Sequence, residues 1–248
     1  MYSVPSVVKS WNMTRRRWIA DEVSGSQATL VGSHAEHLSR VLRAQVGQEF
    51  DIAAGDQVRR GRVTRIHADR VEFELGEIIP VSSSPQVTLA LSIFKFDRME
   101  WAIEKCTELG VVRIVPVIAS RTEVHLAAAS AKRVERWQRI VRQASEQSRR
   151  ASPPDVSQPI KFKEALGLPG SIRVLLSESE KDVMLKDSLQ SKASDVVLAL
   201  GPEGGWTTSE LDQFREGGWS AASLGDTILR AETAAIAAAA VVFSVLQQ

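Results

Sequence analysis

Two glycine loops in the last third of the chain hold the residues best suited to chemistry. The first, residues 201–205, reads Gly-Pro-Glu-Gly-Gly and follows the apolar run at 196–200. Glycines remove the Cβ atoms, so a ligand can contact backbone N–H and C=O groups directly. The second loop, within residues 224–234, repeats the order of short strand, glycine and long helix, and it carries Arg230 and Glu232. We predict that the two loops form one cofactor site.

The elements around these loops place such a site at one edge of a sheet. From about residue 86 onward, apolar strands alternate with amphipathic helices, which predicts a mostly parallel sheet with helices on both faces. Both loops follow predicted strands, and ligands in open α/β sheets bind outside the carboxyl ends of the strands. The sequence has no Gly-x-x-x-x-Gly-Lys-Ser/Thr phosphate loop, no Gly-x-Gly-x-x-Gly after the first of these strands and no Gly-x-Ser-x-Gly elbow. The common nucleotide-binding and serine-hydrolase templates therefore do not apply.

The first third of the chain has a different pattern. Three segments alternate polar and apolar residues, as is typical of half-buried strands: 49–52, 61–66 and 70–75. A helix is predicted at 34–43, with Leu38, Val41 and Leu42 on one face. The proline- and serine-rich stretch at 80–85 is the best candidate for a linker. We therefore predict a small β-rich domain that precedes the α/β part.

The composition is that of an ordinary soluble globular protein, with 248 residues, 44% hydrophobic, 25% charged and a net charge of +1. No apolar run reaches the roughly 18 residues that span a bilayer, and no secretory signal begins the chain, so we expect a cytoplasmic protein without membrane contact. The one cysteine, Cys106, excludes an intrachain disulfide and is expected in the core. The four histidines form no metal-ligand pattern, and no metal is expected.

Positive charge is concentrated in three clusters of this nearly neutral chain. They lie at 15–17, at 59–65 and at 132–150. Solvated surface explains any one of them, but three together favour a polyanionic partner.

The motifs of both glycine loops resemble the ribosomal RNA small subunit methyltransferase E family. This family belongs to the SPOUT class of RNA methyltransferases, which use S-adenosylmethionine. The resemblance rests on Gly201-Pro202-Glu203-Gly204-Gly205 followed by Leu224-Gly225-x-x-Ile228-Leu229-Arg230-Ala231-Glu232-Thr233-Ala234. Further matching segments lie at 37–43, 104–111, 136–140 and 146–150, so the resemblance covers nearly the whole chain. The departures are small: Trp206 replaces the usual Phe, and Arg149 stands where Gly is common.

The resemblance implies a fold of two domains and a reaction. Residues 1–80 would form a PUA-like β-barrel that binds RNA, and 86–248 would form a SPOUT-type α/β domain with a parallel sheet and a C-terminal trefoil knot. Topology rules alone argue against a knot, because threaded chains are very rare. The implied protein is a homodimer that transfers a methyl group from S-adenosylmethionine to N3 of a uridine in small-subunit (16S) ribosomal RNA. The alternatives are another SPOUT methylation, such as ribose 2′-O methylation, and a non-catalytic ribosome-assembly factor.

The same resemblance assigns roles in the two loops. Backbone groups would hold the cofactor, while leucine and isoleucine side chains would wall its adenine. The cofactor-binding residues would be Leu200, Gly201, Gly204, Gly205, Leu224, Gly225, Ile228, Leu229 and Arg230. Arg230 would stabilise charge on the uridine or its phosphate, and Glu203 and Glu232 are candidate bases or orienting groups. Glu203 is also explained as a turn residue, and Glu232 as a carboxylate favoured by a helix N-terminus.

Four arginines are the expected RNA contacts. Arg16, Arg17 and Arg43 would meet phosphates from the N-terminal domain. Arg150 would contact RNA or the cofactor pocket, with a surface ion pair as the competing interpretation.

Overall fold

This computed structural model describes residues 17–55, 57–80, 85–189 and 195–246. The chain divides into two compact units, one over residues 1–81 and the other over 82–248. Each unit has a sheet and a hydrophobic core of its own. The predicted RNA contact at Arg16 lies outside the described residues, as do residues 81–84 of the expected linker.

The N-terminal unit is built on a six-stranded sheet. Its strands are β1 (Arg17–Ile19), β2 (Glu22–Ser24), β3 (Gln27–Val31), β4 (Glu49–Ala54), β5 (Gln57–Ile66) and β6 (Arg70–Ile79). The order is β1-β4-β5-β6-β3-β2, and all neighbours are antiparallel except the parallel pair β1 and β4. The predicted alternation is confirmed, because Ile52, Val63 and Phe73 of the three longest strands point into one core.

The helical segment of this unit differs from its prediction. Helix α1 (Gly32–Glu36) continues into a π-helical turn (His37–Val41), in which the Leu42 N–H donates to the carbonyl of His37 at 3.0 Å. The single buried face predicted for 34–43 is wrong, since Leu38 is buried but Val41 and Leu42 are 65% and 44% exposed. The wider π turn changes the angle between successive residues and carries the last two out of the core.

The C-terminal unit alternates strands and helices along the chain. Its strands are β7 (Gln86–Ser92), β8 (Arg113–Ile118), β9 (Asp155–Val156), β10 (Ile160–Lys161), β11 (Ile172–Leu176), β12 (Asp195–Leu200) and β13 (Ser220–Ala222). Its α-helices are α2 (Phe96–Leu109), α3 (Val124–Ser130), α4 (Val134–Gln147), α5 (Phe162–Ala165), α6 (Thr208–Glu216) and α7 (Ala231–Leu246). Short 3-10 turns lie at Ala131–Arg133 and Leu185–Ser188.

The seven strands form one parallel sheet with the order β10-β8-β7-β12-β11-β13, and β9 pairs with β8. Leu89 and Leu91 of β7 face a core shared with α2, α4 and α7, while Ala90 between them faces a second core shared with α5 and α6. The predicted parallel sheet with helices on both faces is therefore confirmed. Because every strand runs the same way, all carboxyl ends meet at one edge.

Helices α2 and α7 pack closely against each other. Gly110 ends α2 with φ of 121°, and a Cβ there would lie 2.9 Å from the ring of Phe243 in α7. Cys106 lies in the core on the same helix, as predicted, and burial raises the pKa of its thiol to about 12. Lys95 is the N-cap residue of α2 and makes no side-chain cap hydrogen bond, while Asp97 lies within the first turn.

Arg150 closes the carboxyl end of α2. Its Nη1 donates to the main-chain oxygens of Thr107, at 2.7 Å, and Val111. Burial lowers the pKa of the guanidinium to about 10, so it remains charged at neutral pH. These contacts give Arg150 a structural role, and its contact with RNA stays a prediction.

We expect Arg150→Ala to lower the free energy of unfolding by about 1–3 kcal/mol, because the two carbonyls lose their donor. Thermal melting followed by circular dichroism measures this as a lower Tm. Arg139→Ala removes an exposed arginine of α4 and should leave the Tm unchanged. Equal melting temperatures for the two variants would contradict the structural role.

Candidate active site

The first glycine loop leaves the carboxyl end of β12 at Leu200, and the side chain of Trp206 holds it in place. The indole Nε1 donates to the main-chain oxygen of Leu176 at the end of β11, at 3.1 Å, and the ring packs edge-on against a phenylalanine of α6. Gly201 lies against this indole, where a Cβ would come within 3.3 Å of the ring. Gly205 has φ of 68°, a backbone conformation that favours glycine. Both glycines therefore shape the loop.

The chain after β8 supports this loop from the side. Arg121 donates through Nη1 to the main-chain oxygens of Gly204, at 2.6 Å, and Trp206, at 3.3 Å. A main-chain N–H of the same segment donates to Glu210 Oε1, while Glu210 Oε2 accepts from Thr207 in the capping box that begins α6. Sequence reasoning missed Arg121. Its position just after a strand, at the carboxyl edge, was the available signal.

The second glycine loop follows β13 through Ser223, where the chain is enclosed by the segment that follows β11. The Ser177 N–H donates to the oxygen of Ala222 at 3.0 Å. On the other side, the Ser223 N–H donates to Val183 at 2.9 Å, and its oxygen accepts from the N–H of residue 185 at 2.8 Å. The chain at Ser223 therefore runs between the two arms of the preceding loop.

The two glycine loops enclose a cavity of about 550 Å³, a volume typical of small-molecule sites. Nine of the predicted site residues line it: Leu200, Gly201, Glu203, Gly205, Leu224, Gly225, Ile228, Leu229 and Arg230. Gly204 and Glu232 are not among the lining residues, because Gly204 presents its carbonyl to Arg121 and Glu232 is buried at 5% exposure. The predicted convergence of the two loops thus places backbone groups, apolar walls and charged side chains around one cavity.

Arg230 contributes a cation to this cavity. Its main-chain oxygen accepts from Ala234 in the first turn of α7, and its side chain is exposed. Among the residues that the structure describes, its guanidinium has no hydrogen-bond or ion-pair partner. A cation in this state is available to an anionic ligand or to developing negative charge.

Arg98, in the first turn of α2, is a site residue that sequence reasoning missed. Its Nη1 lies 2.9 Å from Glu203 Oε1, and its Nε lies 3.8 Å from Glu232 Oε1. It also lines the cavity. The structure thus brings both predicted carboxylates together on one guanidinium, although only Glu203 faces the cavity.

Most of the described arginines of the N-terminal unit already have hydrogen-bond or ion-pair partners within the unit. Within strand β5, Arg60 pairs with Asp51 at 3.0 Å, and Arg59 donates to main-chain oxygens of β6. Arg17 lies in β1, while Arg43 is exposed with φ of 53°, a conformation that residues other than glycine rarely adopt. The RNA contacts of Arg17 and Arg43 stay predictions.

No group of three or more His, Cys, Asp or Glu residues within residues 17–55, 57–80, 85–189 and 195–246 is arranged to hold a metal ion. None of the helices in these ranges is long and apolar enough to span a membrane.

Comparison with known proteins identifies the family of this chain. The model of the RNA methyltransferase domain matches residues 82–243. A ribosomal RNA small subunit methyltransferase E from Synechocystis is 33% identical over 249 residues, which cover 96% of this chain and 80% of the relative. A crystal structure of such an enzyme from Neisseria gonorrhoeae, bound to S-adenosylmethionine, has a TM-score of 0.82 at 32% identity and covers 94% of this chain and 98% of that one.

A second solved structure agrees with the first. A protein from Legionella pneumophila, solved in complex with the same cofactor, has a TM-score of 0.79 at 27% identity and covers 93% of this chain and 96% of that one. The match of the family model and the length of the alignments confirm the resemblance found in the two glycine loops. The chain belongs to the ribosomal RNA small subunit methyltransferase E family.

Proposed function

We propose that this protein is an S-adenosylmethionine-dependent methyltransferase that modifies N3 of a uridine in small-subunit ribosomal RNA. The observation that carries the proposal is the cavity of about 550 Å³ between two glycine loops at the carboxyl edge of the parallel sheet. The solved relative from Neisseria gonorrhoeae was crystallised with S-adenosylmethionine and aligns over 94% of this chain. A ribosomal RNA substrate also implies a cytoplasmic location.

The residues present fit the cofactor. Gly201 and Gly205 line the cavity with backbone alone, because glycine has no side chain, and Leu200, Leu224 and Leu229 supply apolar walls for an adenine ring. Bound there, S-adenosylmethionine supplies an already activated methyl group, so the chain needs no covalent nucleophile. Its own residues must instead hold donor and acceptor in line and remove one proton.

The acceptor chemistry explains the charged residues of the cavity. A uridine N3–H is a weakly acidic imide, and it must lose its proton before nitrogen can attack. Glu203 lines the cavity, and we assign it as the carboxylate that accepts this proton. Arg230, whose guanidinium has no partner among the described residues, stabilises the negative charge that develops on the base or holds its phosphate.

The loop that encloses Ser223 supports the knot implied by the family. The chain reaches Ser223 from β13, passes between the arms of the segment 177–185 and then forms α7 on the opposite face of the sheet from α6. Such a passage is what a trefoil knot requires. For the N-terminal unit we propose a PUA-like RNA-binding domain, with Arg17 and Arg43 as phosphate contacts.

Helix α7 supports a homodimer. Glu232 is its one charged residue, whereas surface helices usually carry charged residues on the face toward water. Exposed positions include Thr233, Ala240 and Ser244, which are small and uncharged. Small side chains allow the backbone of a second copy to approach closely, so we propose this face as part of the contact between protomers.

Calorimetric titration with S-adenosylmethionine tests the cofactor assignment. Saturable one-to-one binding supports it, and no heat of binding at millimolar cofactor would contradict it.

We further expect Arg121→Ala to weaken binding of S-adenosylmethionine by about tenfold, or about 1.4 kcal/mol, because the first glycine loop loses its support. Arg215→Ala removes an exposed arginine paired with Asp212 and should bind as the wild type does. Equal affinity of the Arg121 and Arg215 variants would show that this support is unimportant.

A further inference from the structure

Three residues from three separate elements form one ion-pair network at the cavity. Arg98 belongs to α2, Glu203 to the first glycine loop and Glu232 to α7. The guanidinium contacts Glu203 at 2.9 Å and Glu232 at 3.8 Å. Arg98 and Glu203 have side chains 33% exposed and line the cavity, whereas the Glu232 side chain is 6% exposed. The two carboxylates therefore differ in their access to a substrate.

Glu232 is a buried carboxylate, and among the described residues only its Oε1 atom has a charged partner. Its Oε2 is buried and accepts no hydrogen bond within the part of the chain that the structure describes. A buried charge without an opposite charge is strongly unfavourable, and Arg98 supplies that charge through Oε1. Movement of Arg98 away from α7 would leave the Glu232 charge uncompensated. Glu232 thus fixes Arg98, and Arg98 in turn fixes Glu203.

We propose that Arg98 is a positioning residue that holds Glu203 toward the acceptor, with Glu232 as its buried anchor. This inference rests on the proposed function. Arg98 engages only Oε1 of Glu203, and among the described residues none donates to Oε2, which is left to take a proton. Glu232 takes no proton from the acceptor, because its carboxylate does not line the cavity.

Methyl transfer from sulfur to N3 breaks two bonds and forms two. The N3–H bond of the uridine breaks, and its proton passes to Glu203 Oε2. The electron pair on N3 forms the new bond to the methyl carbon, while the pair of the breaking C–S bond stays on sulfur. The products are 3-methyluridine, a neutral thioether and a protonated Glu203. Arg98 touches neither reacting atom and acts only through the carboxylate.

The test compares Arg98→Met, Arg98→Lys and Glu203→Gln on reconstituted small subunits that contain either uridine or 5-fluorouridine. The imide of 5-fluorouridine is more acidic, so transfer to it depends less on a base. We expect Arg98→Met to lower kcat by about 10²-fold with little change in KM, as misplacement of a catalytic group does. Arg98→Lys should recover part of the loss. On 5-fluorouridine subunits, the defects of all three variants should shrink together.

A double variant separates positioning from general damage. If Arg98 acts through Glu203, then Arg98→Met combined with Glu203→Gln should be no slower than Glu203→Gln alone. Arg215→Met, which disrupts an exposed ion pair outside the site, should behave as the wild type does on both substrates.

Two results would overturn the inference: normal turnover by Arg98→Met, or a defect of equal size on both acceptors that adds to that of Glu203→Gln. Should Arg98→Met fail to fold, Arg98→Lys takes its place in both comparisons. A wild-type protein that makes no 3-methyluridine would defeat the proposed function itself, whereas an active wild type with an unimpaired Arg98→Met defeats only the positioning role.

Discussion

Glu203→Gln is expected to lower kcat for methyl transfer by about 10²–10⁴-fold, the usual contribution of a general base. The amide keeps the size and shape of the side chain but cannot accept the imide proton. Glu203 lines the cavity and is held by Arg98 at 2.9 Å, so its loss should act on the transfer step. Single-turnover kinetics with saturating cofactor would measure the step directly.

The control for this variant is Glu216→Gln, which changes an exposed carboxylate at the end of α6, outside the cavity. It should turn over as the wild type does. The affinity of Glu203→Gln for S-adenosylmethionine, measured by calorimetry, should match that of the wild type. Normal turnover by Glu203→Gln would mean that the residue serves the turn of its loop and that a water accepts the proton.

Arg230→Ala is expected to lower kcat by about 10²–10³-fold, the effect of removing one preorganised group that stabilises developing charge. Arg230 lines the cavity, and its guanidinium has no partner among the described residues, so it is free to face the acceptor. Cofactor affinity should change little, because the residue would hold the cofactor through its backbone, which alanine preserves.

Arg230→Lys distinguishes two roles for that cation. Lysine keeps the charge but loses the planar fork of donors, so a phosphate contact should be largely restored and a two-point contact with the base should not. Arg215→Ala is again the matched control. Turnover by Arg230→Ala equal to the wild type would remove Arg230 from the chemistry.

The sequence predicted the parts of the fold that follow a long, regular pattern. The apolar run at 196–200 agrees with the observed strand Asp195–Leu200, because it is a continuous apolar stretch bounded by Asp195 and Gly201. The strands β9 and β10 were not predicted, since two residues are too few to show a period. The prediction that Val41 and Leu42 lie on a buried helix face was wrong. It assumed 3.6 residues per turn, whereas the chain forms a π turn there.

The candidate site was also predicted only in part, where its residues lie close together in the sequence. Glycine and charge patterns within short loops identified Gly201, Glu203 and Arg230 as parts of one site. Arg98 and Arg121 were missed because their partners lie 105 and 83 residues further along the chain, where only the fold brings them together. The burial of Glu232 was missed as well, because a carboxylate in the first turn of a helix is usually exposed and favoured by the helix dipole.

The most direct test of the central claim uses the whole protein, small ribosomal subunits and S-adenosylmethionine labelled in its methyl group. After incubation, the ribosomal RNA is digested to nucleosides and the labelled products are separated. We predict one labelled nucleoside, 3-methyluridine, at no more than one equivalent per subunit. Label in 2′-O-methyl nucleosides with none in 3-methyluridine would contradict the assigned acceptor, and no label in the RNA would contradict a catalytic role altogether.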